Sequence, residues 1–212
     1  MTSARDEILA RIRASLADVP ADDETDVPWA YGQPRRTDDL LDLFEERVRD
    51  YGATVQRVTG HLGATVVEAL LAHGVTSVVL PAGLDPAVVD AIAQAGIVIR
   101  GDTPALSRAT LDETDAVVTT CAVAGAVTGT IVLDHGPGQG RRALSLVPDV
   151  HVCLVAADQV VSDVPEMVAR MVPATRAGRP ITWISGGSAT SDIELSRVEG
   201  VHGPRTLHVL LV

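Results

Sequence analysis

The densest grouping of residues able to hold a ligand is Ile184-Ser-Gly-Gly-Ser-Ala-Thr-Ser-Asp-Ile-Glu194. Ser185, Ser188 and Thr190 offer hydroxyls, and Gly186 and Gly187 let a ligand approach the backbone with no side chain in the way. The apolar run Ile181–Ile184 predicts a buried strand leading into this segment, with a helix starting near Ser188 or Thr190. Unpaired N–H groups at such a start, together with the hydroxyls, suit a phosphate or a carboxylate. The plainer alternative is a capped strand-to-helix turn with Asp192 in its first turn. Asp192 and Glu194 add carboxylates able to act as a base, although on a helix they face different directions. A few residues on, Gly200-Val-His-Gly-Pro204 sets His202 between Gly200 and Gly203. That freedom from helix and strand geometry lets the ring be aimed at a ligand, and both segments are expected at one end of a sheet or around its edge.

Two further loops can contribute. Val127-Thr-Gly-Thr130 is a tight turn between apolar strands, where Thr128, Gly129 and Thr130 either meet a ligand or satisfy the turn itself. Gly136-Pro-Gly-Gln-Gly-Arg-Arg142 lacks the Lys-Ser/Thr of a P-loop and opens no helix. Its arginines can fork onto an anion, and Arg142, nearer the following apolar segment, is the better candidate than Arg141. Gly186–Thr190 is not a hydrolase elbow, because Thr190 occupies the last glycine of that pattern. The six histidines form no i,i+4 pair beside a carboxylate, so no metal site is expected.

These loops need a scaffold, and the sequence supplies an alternating one. Ser3 caps an amphipathic helix carrying Ile8, Leu9, Ile12 and Leu16, and an acidic, turn-rich linker follows, so that 1–36 reads as an arm. From Thr37 to the C-terminus the chain reads as one domain. A helix through about Asp50, a strand at Thr54–Val58, a helix at Leu62–Ala72, a strand at Ser77–Leu80, a helix at Pro86–Gln94 and a strand at Ile97–Arg100 predict a mainly parallel sheet. Beyond Asp115 helices become scarce. Apolar runs at Ala116–Ala126, Thr130–Asp134, Ser145–Val147, His151–Ala156, Gln159–Val161, Pro180–Ile184 and Leu207–Val212 predict a mixed second half, with one helix from Asp163 or Pro165 to Thr175.

Composition narrows the function further. A net charge of −11 with only 2% aromatic residues argues against a nucleic-acid partner, which needs clustered cations or stacking platforms. No apolar run approaches the roughly 20 residues of a membrane span, and no secretory signal is present, so a cytoplasmic protein is expected. Cys121 and Cys153 sit in apolar segments and are expected as buried free thiols. With no iron–sulfur ligand spacing in the chain, any cluster belongs to another protein.

The ordered set Thr128-Gly-Thr130, Arg142 with Ser145-Leu-Val-Pro148 and His151, Ile184-Ser-Gly…Glu194, then Gly200-Val-His-Gly-Pro204 with Leu207-His-Val-Leu-Leu211 resembles the LUD domain, most closely its LutC (YkgG) lactate-utilisation type. The resemblance covers Asp112 to the C-terminus in detail. It implies an αβα sandwich similar to the NagB, ribose-5-phosphate isomerase and CoA-transferase group. It also implies a role as one of three proteins that oxidise L-lactate to pyruvate, beside a cysteine-rich protein and an iron–sulfur protein that carries the clusters. No cofactor is expected on this chain itself, and a homo-oligomer is left open. Two positions depart from the family pattern: Val127 replaces an acid before the Thr-Gly turn, and Gly187 stands where proline is frequent. A valine can serve neither as base nor as nucleophile, which favours an accessory or ligand-binding subunit. The alternatives are a free-standing enzyme on a sugar phosphate or acyl-CoA, with Glu194 or His202 as acid–base, and a small-anion-binding regulatory protein.

Overall fold

The computed structural model describes residues 3–19, 32–33, 39–190, 198–200 and 202–212. The chain divides into two compact units, 1–33 and 34–212. The first holds α1 (Ala4–Ser15), where the Ser3 side chain and Asp6 form a reciprocal capping box and no residue is buried. Most of the expected acidic linker lies outside the described residues.

In the second unit, helix α2 (Leu40–Asp50) leads to β1 (Thr54–Arg57), α3 (Leu62–Ala72), β2 (Ser77–Leu80), α4 (Pro86–Gln94) and β3 (Val98–Gly101). This is the strand and helix alternation read from the sequence. A short α5 (Arg108–Asp112), capped by Ser107, precedes β4 (Ala116–Thr120). The remaining elements are β5 (Val123–Gly125), β6 (Thr130–Leu133), β7 (Val150–Val155), β8 (Val160–Val161), α6 (Val164–Arg176), β9 (Thr182–Ile184), β10 (Ala189–Thr190), β11 (Val198–Glu199) and β12 (Thr206–Leu211).

Six strands form an all-parallel sheet in the order β1-β12-β7-β4-β2-β3. Such a sheet must be covered on both faces, and its strands are accordingly almost wholly apolar. One face packs on α3 and α4 through Val78, Val118, Val152, Leu154 and Leu210. The two helices approach closely because Gly63 has no side chain: a Cβ there would lie 2.7 Å from Ala91 Cβ. The other face presents Cys153, Val155, Leu207, Val209 and Leu211 to α2 and to a second sheet, β8-β5-β6-β9, while α5 and the segment after Arg141 cover Val79 and Val117. Met167 and Met171 of α6 close the outside of the second sheet over Val123 and Val132.

Three sequence expectations change. The run Ala116–Ala126 is two strands in different sheets, broken at Cys121-Ala122, where the chain leaves the parallel sheet and turns back through β5 and β6. Ser145–Val147 is no strand; Arg142–Ser145 is a single 3₁₀ turn whose Leu144 plugs the core beside Leu111. No helix starts at Ser188 or Thr190. Ala189–Thr190 instead pairs antiparallel with Val198–Glu199, leaving the potential helix start as a hairpin arm.

Candidate functional site

The Gly/Ser segment and the His202 segment meet where β7 and β12 begin, at the amino-terminal edge of the parallel sheet. Ser188 explains the meeting. Its N–H donates to the Pro204 carbonyl at 2.7 Å, its carbonyl accepts from the Gly200 N–H at 2.9 Å, and its hydroxyl accepts from the His202 N–H at 3.0 Å. These bonds consume the backbone donor that a helix start would have left for an anion, so the expected N-terminal anion cradle does not form. Gly187 is required by this contact, since a Cβ there would sit 2.3 Å from the Arg205 carbonyl oxygen. Gly186 turns with φ +81, its Cα side pressed on Tyr51.

Between the joined segments and β9 lies a cleft of about 250 Å³. Ser145, Leu146, His151, Thr182–Ser188, His202–Pro204 and Leu207 line it. Apolar walls with a few convergent polar groups are the usual composition of a small-molecule site, and this volume lies below the range typical of drug-sized ligands. Of the residues chosen from sequence, Ser185, Gly186, Gly187, Ser188, His202 and Gly203 line the cleft. Thr130 stands behind it, its hydroxyl 2.9 Å from the Ser185 hydroxyl and bonded to the Thr128 carbonyl at 3.3 Å. Thr128 and Gly129 belong to a packed turn. A Cβ on Gly129 would lie 2.7 Å from the Arg47 backbone of α2, which makes this turn a contact with that helix. The Arg142 guanidinium is not among the lining groups. Thr190 lies in β10, and Asp192 and Glu194 lie outside the described residues.

Three polar residues line the cleft that were not among the candidate site residues: Thr182, and Ser145 and His151, which had only helped to carry the family resemblance. The signal for His151 was a single imidazole in the otherwise apolar strand Val150–Val155, whose burial pattern is unbroken. The ring is 1% exposed, and Nε2 lies 2.7 Å from the hydroxyl of Thr119, on β4. Thr119 in turn donates to Cys153 Sγ at 3.7 Å. Cys121 donates to Gln159 Oε1 at 3.2 Å, and Gln159 returns a bond to the Cys121 carbonyl at 2.8 Å. A line of buried polar groups therefore runs inward from the cleft floor. The proximity of Cys121, aided by His151 and Thr119, holds Cys153 below the ordinary thiol range, while Cys153 and burial raise Cys121. Both are free thiols, as expected.

The glycine-rich loop 136–140 is tied down at the opposite end of the sheet. Gly138 donates to the Ala82 carbonyl at 2.8 Å and accepts from the Thr120 N–H at 2.9 Å. The His135 ring bonds the Gly140 carbonyl on one side and the Thr182 hydroxyl on the other. Arg141 forks onto Asp102 at 2.7 and 3.0 Å and also donates to the Leu106 carbonyl. Burial pushes Asp102 up, but the Arg141 and Leu106 hydrogen bonds outweigh it and leave the carboxyl below its usual range. Arg141 is thus a structural clamp. No group of three metal-ligating side chains occurs among the described residues, and no helix among them is long and apolar enough to cross a membrane.

The second unit is thus a mixed α/β fold that carries a hydroxyl-lined cleft with an imidazole in its floor. Residues 38–212 match the model of the LUD domain, and the chain belongs to that family. It is 49% identical over 186 residues to Lactate utilization protein C of Deinococcus radiodurans, covering 87% of this chain and 85% of that protein. Lactate utilization protein C of an Exiguobacterium species is 30% identical over 113 residues, covering 51% of this chain and 49% of that protein. The crystal structure of a DUF162 family protein from Deinococcus radiodurans superposes with a TM-score of 0.72 at 43% identity, over 84% of this chain and 99% of that one.

Proposed function

We propose that this protein serves L-lactate utilisation as a ligand-binding, non-catalytic subunit, working with iron–sulfur and cysteine-rich partner proteins that carry the redox chemistry. The cleft at Ser185–Ser188 carries this reading: its size suits a small carboxylate, and Ser145, Ser185, Ser188, His151 and His202 supply the polar groups. High identity to a protein named for lactate utilisation, over most of both chains, supports the physiological setting. Oxidising lactate to pyruvate removes two electrons, which must pass to an acceptor; among the described residues only the two thiols are redox-active, and both are buried. A partner that holds the acceptor fits this composition.

The test is growth on L-lactate as sole carbon source. Deleting the gene is expected to abolish growth, the wild-type gene to restore it, and Ser185→Val with His202→Ala to restore it poorly while the protein remains folded by circular dichroism. Unchanged growth of the deletion strain would sink the reading. Turnover of L-lactate by the isolated chain with a soluble electron acceptor would replace it with that of a free-standing enzyme.

A further inference from the structure

A hydroxyl and an imidazole meet at the Thr182 end of the cleft, and a backbone carbonyl fixes how they share protons. β9 lines the cleft, and its antiparallel register sets Thr182 opposite Leu133, two residues before His135. The His135 ring bridges two partners. Nδ1 lies 2.9 Å from the Gly140 carbonyl oxygen, and Nε2 lies 2.8 Å from the Thr182 hydroxyl. A carbonyl oxygen has no proton to give, so Nδ1 donates to it. In the neutral ring Nε2 then keeps the lone pair, and the Thr182 hydroxyl donates to Nε2. His135 is held there in a left-handed backbone conformation, φ +57, which among the described residues is otherwise adopted by glycine alone. A side-chain-bearing residue keeps such a conformation only where its surroundings impose it, and these positions cluster at functional sites. Thr182 is 8% exposed and lines the cleft, whereas Thr119, the hydroxyl beside His151, is wholly buried and does not line it.

We propose that Thr182 is a self-acylation site, its hydroxyl activated by His135 to take the acyl group of a small activated acyl ester. A hydroxyl becomes a nucleophile when a base within hydrogen-bond reach takes its proton and a third group orients that base. His135 and the Gly140 carbonyl fill these two places. The Thr182 oxygen bonds to the acyl carbon, its proton passes to His135 Nε2, and the bond from the acyl carbon to the leaving group breaks. The leaving group departs with its electron pair and takes the proton from Nε2, which returns His135 to the neutral form. A cleft of about 250 Å³ limits the donor to a small one. The step passes no electrons to an acceptor and ends in an adduct, so it adds a modification site to a subunit that takes no part in the oxidation. It does not rest on the identity of the ligand proposed above.

The test is incubation of the full chain with p-nitrophenyl acetate, followed by release of p-nitrophenolate and by peptide mass spectrometry. The chain contains no lysine, so competing amines are few. An acetyl group on Thr182 is expected, with nitrophenolate released in step with it. The wild-type adduct is located without any variant having to fold. His135→Asn keeps a residue suited to the left-handed conformation but removes the base, and is expected to slow acetylation by at least about a hundredfold. Thr182→Ser is expected to keep the adduct at position 182, and Thr182→Val to lose it. Absence of the adduct from Thr182 in the wild type overturns the proposal, whether or not other residues are acetylated. A rate that His135→Asn leaves unchanged overturns it as well.

Discussion

At the scale of single residues, one buried histidine contact makes stability depend on pH. His208, on β12, is 5% exposed and faces His73 at the end of α3, with His73 Nε2 3.1 Å from His208 Nδ1. The contact needs one donor and one acceptor, so both rings cannot be charged at once. Burial, reinforced by repulsion from His73, lowers His208 to about 4. An unfolded histidine titrates near pH 6.5. The folded state therefore binds fewer protons than the unfolded state between these values. Stability is full above about pH 6.5 and falls as the pH drops toward 4, by roughly 3 kcal/mol at most. Urea denaturation at pH 7 and pH 5 is expected to show this loss in the wild type, and a smaller one in His208→Leu. An identical loss in the variant would assign the acid sensitivity elsewhere.

At the scale of elements, the site depends on segments being tied in particular pairs. The Gly186–Ser188 strap is bonded to Gly200–Pro204, and Gly187 is the point of closest approach. Gly187→Ala puts a methyl group 2.3 Å from the Arg205 carbonyl, which the strap can relieve only by moving away from β12. Loss of L-lactate binding by at least about tenfold is expected, with a stability cost of about 1–3 kcal/mol, because overpacking at a backbone contact costs that much. Calorimetry and thermal denaturation of the same sample separate the two effects. The loop at Gly136–Arg141 is a clamp of the second kind. Asp102→Asn removes the charge that Arg141 forks onto, and a destabilisation of roughly 1–2 kcal/mol is expected, since both partners are partly solvated. Denaturant titration of Asp102→Asn measures it. These two pairs also show where local reading of the sequence reached its limit. The strand–helix alternation from Leu40 to Gly101 was legible because each element is apolar on the period that its own packing requires. The 188–190 segment was not. Its serine and threonine resemble a helix cap, but the competing partners, Gly200 and Pro204, lie more than ten residues away and win through hydrogen bonds that no local pattern displays.

At the scale of the whole molecule, the second unit carries the two sheets and their covering helices, whereas α1 buries none of its residues. The core clusters of the second unit are built from residues 40–211 alone, so the chain without residues 1–33 is expected to melt within about 4 °C of the full protein, the shift that about 1 kcal/mol makes in a domain this size. A larger fall in the melting temperature would show that the arm supports the body. Sequence alone determined the α/β class, the alternation that builds the parallel sheet, the burial of both cysteines, and the Gly/Ser and glycine–histidine segments that border the cleft. Each follows from residue type and short-range spacing. Tertiary structure decided the rest. Strand register set His151 beside Thr119 at the cleft floor. Backbone pairing turned an apparent helix start into a hairpin, and the Arg141 clamp onto Asp102 made one arginine structural. The reason is physical: a hydrogen bond between strands joins residues by position in the sheet, which spacing along the chain does not encode.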